Sequence, residues 1–285
     1  MTIKQLKRVF TSELSAIYPN TEINSLFYLV CEEYLGLNRA EIALTFNDEI
    51  EIPATIHQVI NQLTEQKPIQ YIIGKTEFYG LEFIVNNSVL IPRPETEELV
   101  SWIINDIKNN YPSKKTNILD IGTGSGCIAI SLAANLSTNH HVTALDISDK
   151  AIKIAKKNAT NNNTKVRFIK DDALNLKSEI INRKFDVIVS NPPYVRNLEK
   201  AEIQDNVLKN EPHLALFVED ENPLLFYDAI SEFAVKNLNQ NGFLYFEINQ
   251  YLATETIELL KNKGFKNIKL KKDIFKNDRM IKATL

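Results

Sequence analysis

The chain has 285 residues, 44% of them apolar and 24% charged, which is the balance of a globular protein with one ordinary domain and a smaller one. A net charge of -3 argues against life on nucleic acid, where phosphate neutralisation supplies most of the affinity, and tilts the partner toward a protein or a small molecule. The cysteines Cys31 and Cys127 lie far apart and match neither a disulfide framework nor a metal site, and no apolar run is long enough for a membrane span or a secretory leader, so a soluble protein of the reducing cytoplasm is expected.

Ile3, Leu6, Phe10 and Leu14 recur at three- and four-residue steps, as do Ile23, Leu26, Phe27 and Val30, and predict two amphipathic helices. Gly36 stops the second, and Asn38 followed by Glu41 has the form of a capping box that opens a third. Ile56, Val59, Ile60 and Leu63 mark a fourth, which ends before Pro68. Residues 1–67 therefore read as a small helical bundle with its own core. Residues 69–91 are rich in aromatic and β-branched types, with short strands expected over 77–79, 81–85 and 89–91, so that 68–92 forms a β-hairpin linker. A helix through Leu99, Trp102 and Ile103 follows. From Asn117 strands over 118–121, 142–145, 166–169 and 185–189 alternate with helices over 129–135 and 150–158, the pattern of right-handed βαβ units and a mostly parallel sheet. A helix over 225–235, a strand over 242–248, a helix over 253–263 and two β-like runs, 268–270 and 280–284, complete an α/β domain over 93–285, the last two runs pairing antiparallel at the sheet edge.

The loop Asp120-Ile121-Gly122-Thr123-Gly124-Ser125-Gly126 follows a strand and opens a helix, where glycine lets the backbone turn sharply and approach a ligand. Ligands of open α/β sheets bind at the carboxyl ends of the strands, and Asp146 ends the next strand about 20 residues on, where a carboxylate takes ribose hydroxyls. The pair fits either NAD or S-adenosylmethionine. After the third strand, Asp171 and Asp172 offer an acceptor for an adenine amino group, beside Ala173, or simply start a loop.

The fourth strand ends in Asn191-Pro192-Pro193-Tyr194. The prolines fix the backbone and remove two N–H donors, leaving carbonyls such as that of Pro192 as acceptors. The Asn191 side chain adds another acceptor, and Tyr194 a flat face for a flat group. Two acceptors and a ring suit an –NH2 on an sp² carbon, whose delocalised lone pair becomes nucleophilic if hydrogen bonding favours pyramidalisation. Asn191, Pro192 and Tyr194 are thus the candidate catalytic residues. The same turn suits adenine N6 or guanine N2 in nucleic acid, which would call for a basic channel and base flipping. A non-catalytic adaptor would show degenerate glycines or a lost Asn191, and both are intact; hydride transfer gives Asn-Pro-Pro-Tyr no role. His57, His140, His141 and His213 have no ligand spacing, so no metal is expected. Arg93 has Glu95 and Glu97 as local pairing partners, and Glu98 reads as ordinary helix surface.

Nearly the whole chain resembles the bacterial release factor glutamine methyltransferases (PrmC/HemK). The resemblance rests on Glu77-Phe78-Tyr79-Gly80-Leu81, Val89-Leu90-Ile91-Pro92-Arg93-Pro94-Glu95-Thr96-Glu97, the glycine loop and Asn191-Pro192-Pro193-Tyr194, with later echoes at Glu211-Pro212, Ala215-Leu216, Asp273 and Asp278-Arg279. It implies an α/β class I (Rossmann-like) methyltransferase domain with a mostly parallel seven-stranded sheet, carrying a small N-terminal helical bundle joined by a β-hairpin. It implies N5-methylation of the glutamine in the Gly-Gly-Gln loop of class I peptide chain release factors, with S-adenosylmethionine as donor. Gly122, Thr123, Gly124, Ser125 and Gly126 would wrap its methionine part, Asp146 its ribose, and Asp172 with Ala173 its adenine. Asn191 would border the cofactor and, with Pro192, hold the glutamine amide; Pro193 and Tyr194 would complete the pocket, Tyr194 stacking on the amide, with Arg93 close by. The bundle would contact the release factor, and a monomer with no stable nucleic acid and no membrane is expected. Two departures stand out: Ala173, where many relatives carry an aromatic residue, and Asn249, where glycine is common.

Overall fold

The computed structural model describes residues 1–111, 114–137 and 139–285. They form two compact units, Met1–Gly74 with Gln204–Asn210, and Lys75–Ile203 with Glu211–Leu285.

The first unit opens with α1 (Ile3–Leu14), α2 (Asn20–Leu35), α3 (Arg39–Leu44), α4 (Ala54–Thr64) and α5 (Ile69–Ile73). Reciprocal capping boxes start α1 at Thr2 and Gln5, and α3 at Asn38 and Glu41, as the spacing of the latter pair predicts. Gly36 closes α2 in the left-handed region. The periodic apolar positions of α1, α2 and α4 meet in one core, in which Phe10 and Phe27 pack edge to face at 5.5 Å between centroids. Residues 69–73 do not belong to the hairpin, as their β-branched texture suggested. Pro68 starts a short helix and left-handed Gly74 ends it, with Ile69 and Tyr71 buried.

The second unit begins with a hairpin of β1 (Lys75–Phe78) and β2 (Leu81–Ile84), whose two turn residues, Tyr79 and Gly80, both have positive φ. Residues 89–91 are not a strand. Val89 N–H closes a turn onto Asn86 and Ile91 N–H donates to the Glu211 side chain, ahead of two prolines that cannot join a ladder. Then follow α6 (Pro94–Asn110), β3 (Asn117–Ile121), α7 (Cys127–Asn135), β4 (His141–Asp146), α8 (Asp149–Asn161), β5 (Val166–Lys170), β6 (Phe185–Ser190), β7 (Val195–Arg196), α9 (Asp205–Asn210), which belongs to the first unit, β8 (Phe217–Val218), α10 (Leu225–Asn237), β9 (Leu238–Glu247), α11 (Ala253–Asn262), β10 (Lys266–Lys272) and β11 (Asp278–Thr284). The main sheet has seven strands in the order β10-β11-β9-β6-β3-β4-β5, as expected mostly parallel, with β11 reversed between β9 and β10. Side chains of β3 alternate between two cores: Ile118 packs with α6 and α7, whereas Leu119 and Ile121 pack with α10 and α11.

Candidate active site

The sheet register aligns Leu145, Ile121, Ser190 and Phe246 across β4, β3, β6 and β9. The next residue on each strand therefore stands in one row at the carboxyl ends: Asp146, Gly122, Asn191 and Glu247. Ser190 Oγ donates to the Ile121 carbonyl at 2.7 Å and fastens the middle of that row. This is the end of an open α/β sheet, beside the strand whose neighbours lie to both sides of it, where ligands bind.

Gly122 and Thr123 both donate their amides to the Leu145 carbonyl at 2.9 Å, so the loop leaves β3 and leans over β4. Gly124 N–H donates to Asp146 Oδ2 at 2.8 Å, and Ser148 N–H to Asp146 Oδ1 at 2.9 Å. A Cβ built on Gly122 or Gly124 meets nothing within 4 Å, so the loop borders open space there. Gly126 is different: its Cβ would lie 2.7 Å from Ile130 Cδ1 and 3.2 Å from Ala155 Cβ, at a φ of +86°. That glycine lets α7 start against α8. Beneath the loop Asp120 is fully buried. Thr123 Oγ1 donates to its Oδ2 at 2.6 Å, while Oδ1 has no partner among the described residues. Burial pushes this carboxyl up to about 7. Burial also pushes the Cys127 thiol up to about 12, so it is no ready nucleophile.

At the end of β5 the two neighbouring aspartates divide their work. Asp171 accepts amides of Asp172, Lys177 and Ser178 and closes the loop it begins. Among the described residues Asp172 Oδ1 accepts only from Leu174 N–H two residues on, and Ala173 packs against the apolar core. Asp171 is thus the loop-starting residue, and Asp172 is the one with acceptor capacity left.

At the other side of Gly122 the Asn191-Pro192-Pro193-Tyr194 turn is braced by residues distant in sequence. Tyr194 Oη donates to Glu247 Oε1 at 3.0 Å, Thr96 Oγ1 donates to Glu247 Oε2 at 2.6 Å, and Asn191 Nδ2 lies 3.4 Å from Thr96 Oγ1. Burial raises the Glu247 carboxyl above its ordinary range, opposed by the Thr96 hydroxyl and the Arg279 charge. Burial and Glu247 likewise push the Tyr194 phenol up. Arg279 is held by Asp273, with Nε donating to Oδ2 at 3.1 Å. Arg93 does not pair with Glu95 or Glu97. Its guanidinium donates to buried Glu211 at 2.7 Å, and Glu97 instead accepts the Tyr79 amide. Glu211 is almost wholly buried whereas Glu95 and Glu97 are half-buried, and a buried carboxylate gains more from a guanidinium because little water reaches it. Glu98 is more than helix surface, since it accepts the Ile274 amide at 2.9 Å. Asn249 donates to the Tyr194 carbonyl at 2.9 Å and to Glu199 Oε2 at 2.8 Å.

Residue types alone pointed to the glycines, Asp146 and the Asn191 turn. They gave no role to Asp120, Thr96, Glu247 or Arg279. The signals were present: an acid closing the apolar run of β9, and a threonine between two glutamates at a helix start. What makes Thr96 and Glu247 functional candidates is their pairing over 151 sequence positions, which no local pattern encodes.

The sheet order and the glycine loop at its strand ends are those of a class I methyltransferase. A family model described as "Methyltransferase small domain" matches residues 100–216. The release factor glutamine methyltransferase of Flavobacterium psychrophilum is 55% identical, over 99% of both chains, and that of Bacteroides thetaiotaomicron 43% identical, over 95% of both. Among solved structures, the catalytic domain of hMettl16 superposes with a TM-score of 0.58 at 18% identity, covering 83% of this chain and 84% of that one, a likeness of fold. The chain belongs to the release factor glutamine methyltransferase family.

Proposed function

We propose that the protein transfers a methyl group from S-adenosylmethionine to the N5 side-chain amide of the glutamine in the Gly-Gly-Gln loop of class I peptide chain release factors. The observation that carries this reading is the register of β3 and β6, which sets Asn191 beside Gly122. The residues present fit the donor. Open space borders Gly122 and Gly124, and an orphaned buried acceptor, Asp120 Oδ1, awaits a donor such as the methionine ammonium. Gly122, Thr123, Gly124, Ser125 and Gly126 would hold the methionine part, Asp146 the ribose hydroxyls, Asp172 the adenine amino group and Ala173 a patch of the adenine face. When bound, S-adenosylmethionine supplies an electrophilic methyl on a sulfonium.

The rest of the chemistry belongs to side chains of this chain. Asn191 Oδ1 and the Pro192 carbonyl accept the two hydrogens of the glutamine –NH2, and Pro193 contributes no N–H to compete for them. The Tyr194 ring, anchored through its hydroxyl to Glu247, keeps the amide plane. Held this way, the nitrogen would gain pyramidal character and its lone pair would take the methyl as the S–CH3 bond breaks, the sulfonium leaving as a neutral thioether and the nitrogen losing one proton to water. The acceleration is positioning and electrostatic stabilisation, with no covalent enzyme intermediate. Arg93, clamped by Glu211, lies near enough for its charge to act on Tyr194 and lines the acceptor side. The helical unit Met1–Gly74 would recognise the release factor away from the Gly-Gly-Gln loop. No helix among the described residues is long and apolar enough to cross a membrane; the enzyme would act as a monomer in the cytoplasm.

The test is incubation with methyl-labelled S-adenosylmethionine and release factor purified from cells lacking the enzyme, followed by mass spectrometry of the Gly-Gly-Gln peptide. Label on the glutamine is expected. Label on bulk RNA or DNA with none on the release factor would replace this reading by the nucleic-acid one.

A further inference from the structure

Glu247 is 1% exposed, and each of its oxygens is taken by a hydroxyl, Thr96 at Oε2 and Tyr194 at Oε1. The Thr96 hydroxyl has one proton, and donating it to Glu247 Oε2 commits it there. What remains on that oxygen is lone pairs. Of the two ends of the Asn191 amide, only the nitrogen can face them favourably, and Nδ2 is the end that lies 3.4 Å away. Rotating the amide by a half-turn would bring two oxygens together.

This matters because the amide of asparagine is almost symmetrical in shape. Packing cannot distinguish its two orientations, so hydrogen bonds must. In one orientation Oδ1 faces outward and can receive an N–H of the substrate amide. In the other, an –NH2 would confront an –NH2, donor against donor.

We infer that Thr96 and Glu247 are positioning residues that lock the Asn191 side chain with its oxygen toward the substrate nitrogen. Neither touches the reacting atoms. Glu247 orders the proton of Thr96, Thr96 orders the amide of Asn191, and the same carboxylate holds the Tyr194 ring by its hydroxyl. One buried acid thereby sets two walls of the acceptor pocket. The inference rests on Asn191 being the amide acceptor.

The experiment compares Thr96→Val, Thr96→Ser and Glu247→Gln with the unaltered enzyme, using unmodified release factor and S-adenosylmethionine. Thr96→Val keeps the volume but removes the hydroxyl, and kcat should fall roughly 10- to 100-fold, the usual loss for a residue that orients a reacting ligand from behind. Thr96→Ser restores the hydroxyl and should recover most of kcat. Glu247→Gln adds a donor where only an acceptor belongs and should resemble Thr96→Val. S-adenosylmethionine affinity by calorimetry should fall by far less than kcat in all three, since neither Thr96 nor Glu247 hydrogen-bonds the glycine loop. A Thr96→Val enzyme with normal kcat, or a Thr96→Ser enzyme as slow as Thr96→Val, would overturn the inference. A second readout does not depend on turnover: the ¹⁵N–¹H resonances of the Asn191 side chain should shift in Thr96→Val and return in Thr96→Ser, and unchanged resonances would refute the lock. If the unaltered enzyme leaves the release factor unlabelled, the proposed substrate fails, while the resonances still decide whether the lock exists.

Discussion

Alanine introduced at Gly126 and at Gly122 separates the two uses of glycine in one loop. At Gly126 the new methyl would sit 2.7 Å from Ile130 Cδ1 and 3.2 Å from Ala155 Cβ, with φ at +86°. The left-handed backbone alone costs about 1–2 kcal/mol for a residue with a Cβ. Crowding adds to this. Ile130 Cδ1 is the tip of a side chain and can yield, but Ala155 is part of α8 and moves only with the helix, so the low end of the usual overpacking range, about 1–2 kcal/mol, applies. The sum is about 2–4 kcal/mol, and with a urea slope of about 2–3 kcal/mol/M the midpoint should drop by roughly 1 M. Trp102, the single tryptophan, packs edge-on to Tyr245 at 5.7 Å between ring centroids and reports unfolding of the sheet unit by fluorescence. Gly122→Ala carries the same kind of backbone penalty at φ +75° but meets no atom within 4 Å. It should therefore lose only about 1–2 kcal/mol of stability, yet lose most S-adenosylmethionine affinity, because the methyl enters the open space proposed for the cofactor. Equal destabilisation by the two substitutions, or undiminished cofactor affinity in Gly122→Ala, would show that the loop has been misread.

Asn191→Ala should lower turnover about 100- to 1,000-fold while S-adenosylmethionine binding, followed by calorimetry, is mostly retained; a collapse of cofactor affinity with normal turnover of loaded enzyme would contradict the assigned role. Asp120 is pushed up to about 7 against about 3.9 in an unfolded chain, so between these values the native state holds a proton that the unfolded state has released. The stability contributed by that proton is fully present below about pH 4 and is lost as pH rises through about 7, with a span on the order of 3–4 kcal/mol. Asp120→Asn has no proton to lose, so its stability relative to the unaltered protein should climb from pH 4 to pH 8 in urea titrations, and a constant difference would be the contrary result. Asn158 accepts from the Ile84 amide at 2.7 Å and donates to the carbonyls of Ile84 and Ser125. Asn158→Ala should cost about 2–5 kcal/mol by stranding these groups, and hydrogen exchange at the Ile84 amide should accelerate well before global unfolding.

The fold was largely readable because its signals are local. Four apolar helix stripes, the βαβ alternation from Asn117 and the reversed closing strand all follow from periodicities of a few residues. The lapses occurred where a local preference met a stronger constraint. Residues 69–73 carry strand-like side chains, but Pro68 and Gly74 bracket a single helical turn. Residues 89–91 look like a strand, but the following prolines and the Glu211 carboxylate leave them nothing to pair with in a ladder. The same division runs through the site. Gly122, Gly124, Asp146 and Asn191 are marked by the turns they make at strand ends. The Arg93 partner, Glu211, is separated from it by 118 positions and could be found only once the chain was folded. Asn249 ties down the Tyr194 carbonyl 55 positions before it, a contact visible only in three dimensions.

The placement of β11 has a consequence for how the protein is made. During synthesis β10 leaves the ribosome first, yet in the finished sheet it lies beyond the strand that follows it. Until residues 278–284 emerge, the nascent chain offers the bare edge of β9 to whatever strand arrives. β10 is a poor claimant: Lys266, Lys269, Lys271 and Lys272 leave it mostly exposed even when paired, whereas Met280, Ile281, Lys282 and Ala283 of β11 are buried. A lysine-studded ribbon would pay heavily to dehydrate there, so the vacancy waits for its proper occupant. That late arrival also delivers Arg279 to Glu247, so the carboxylate that braces Tyr194 acquires its neighbouring positive charge only once β11 is in place.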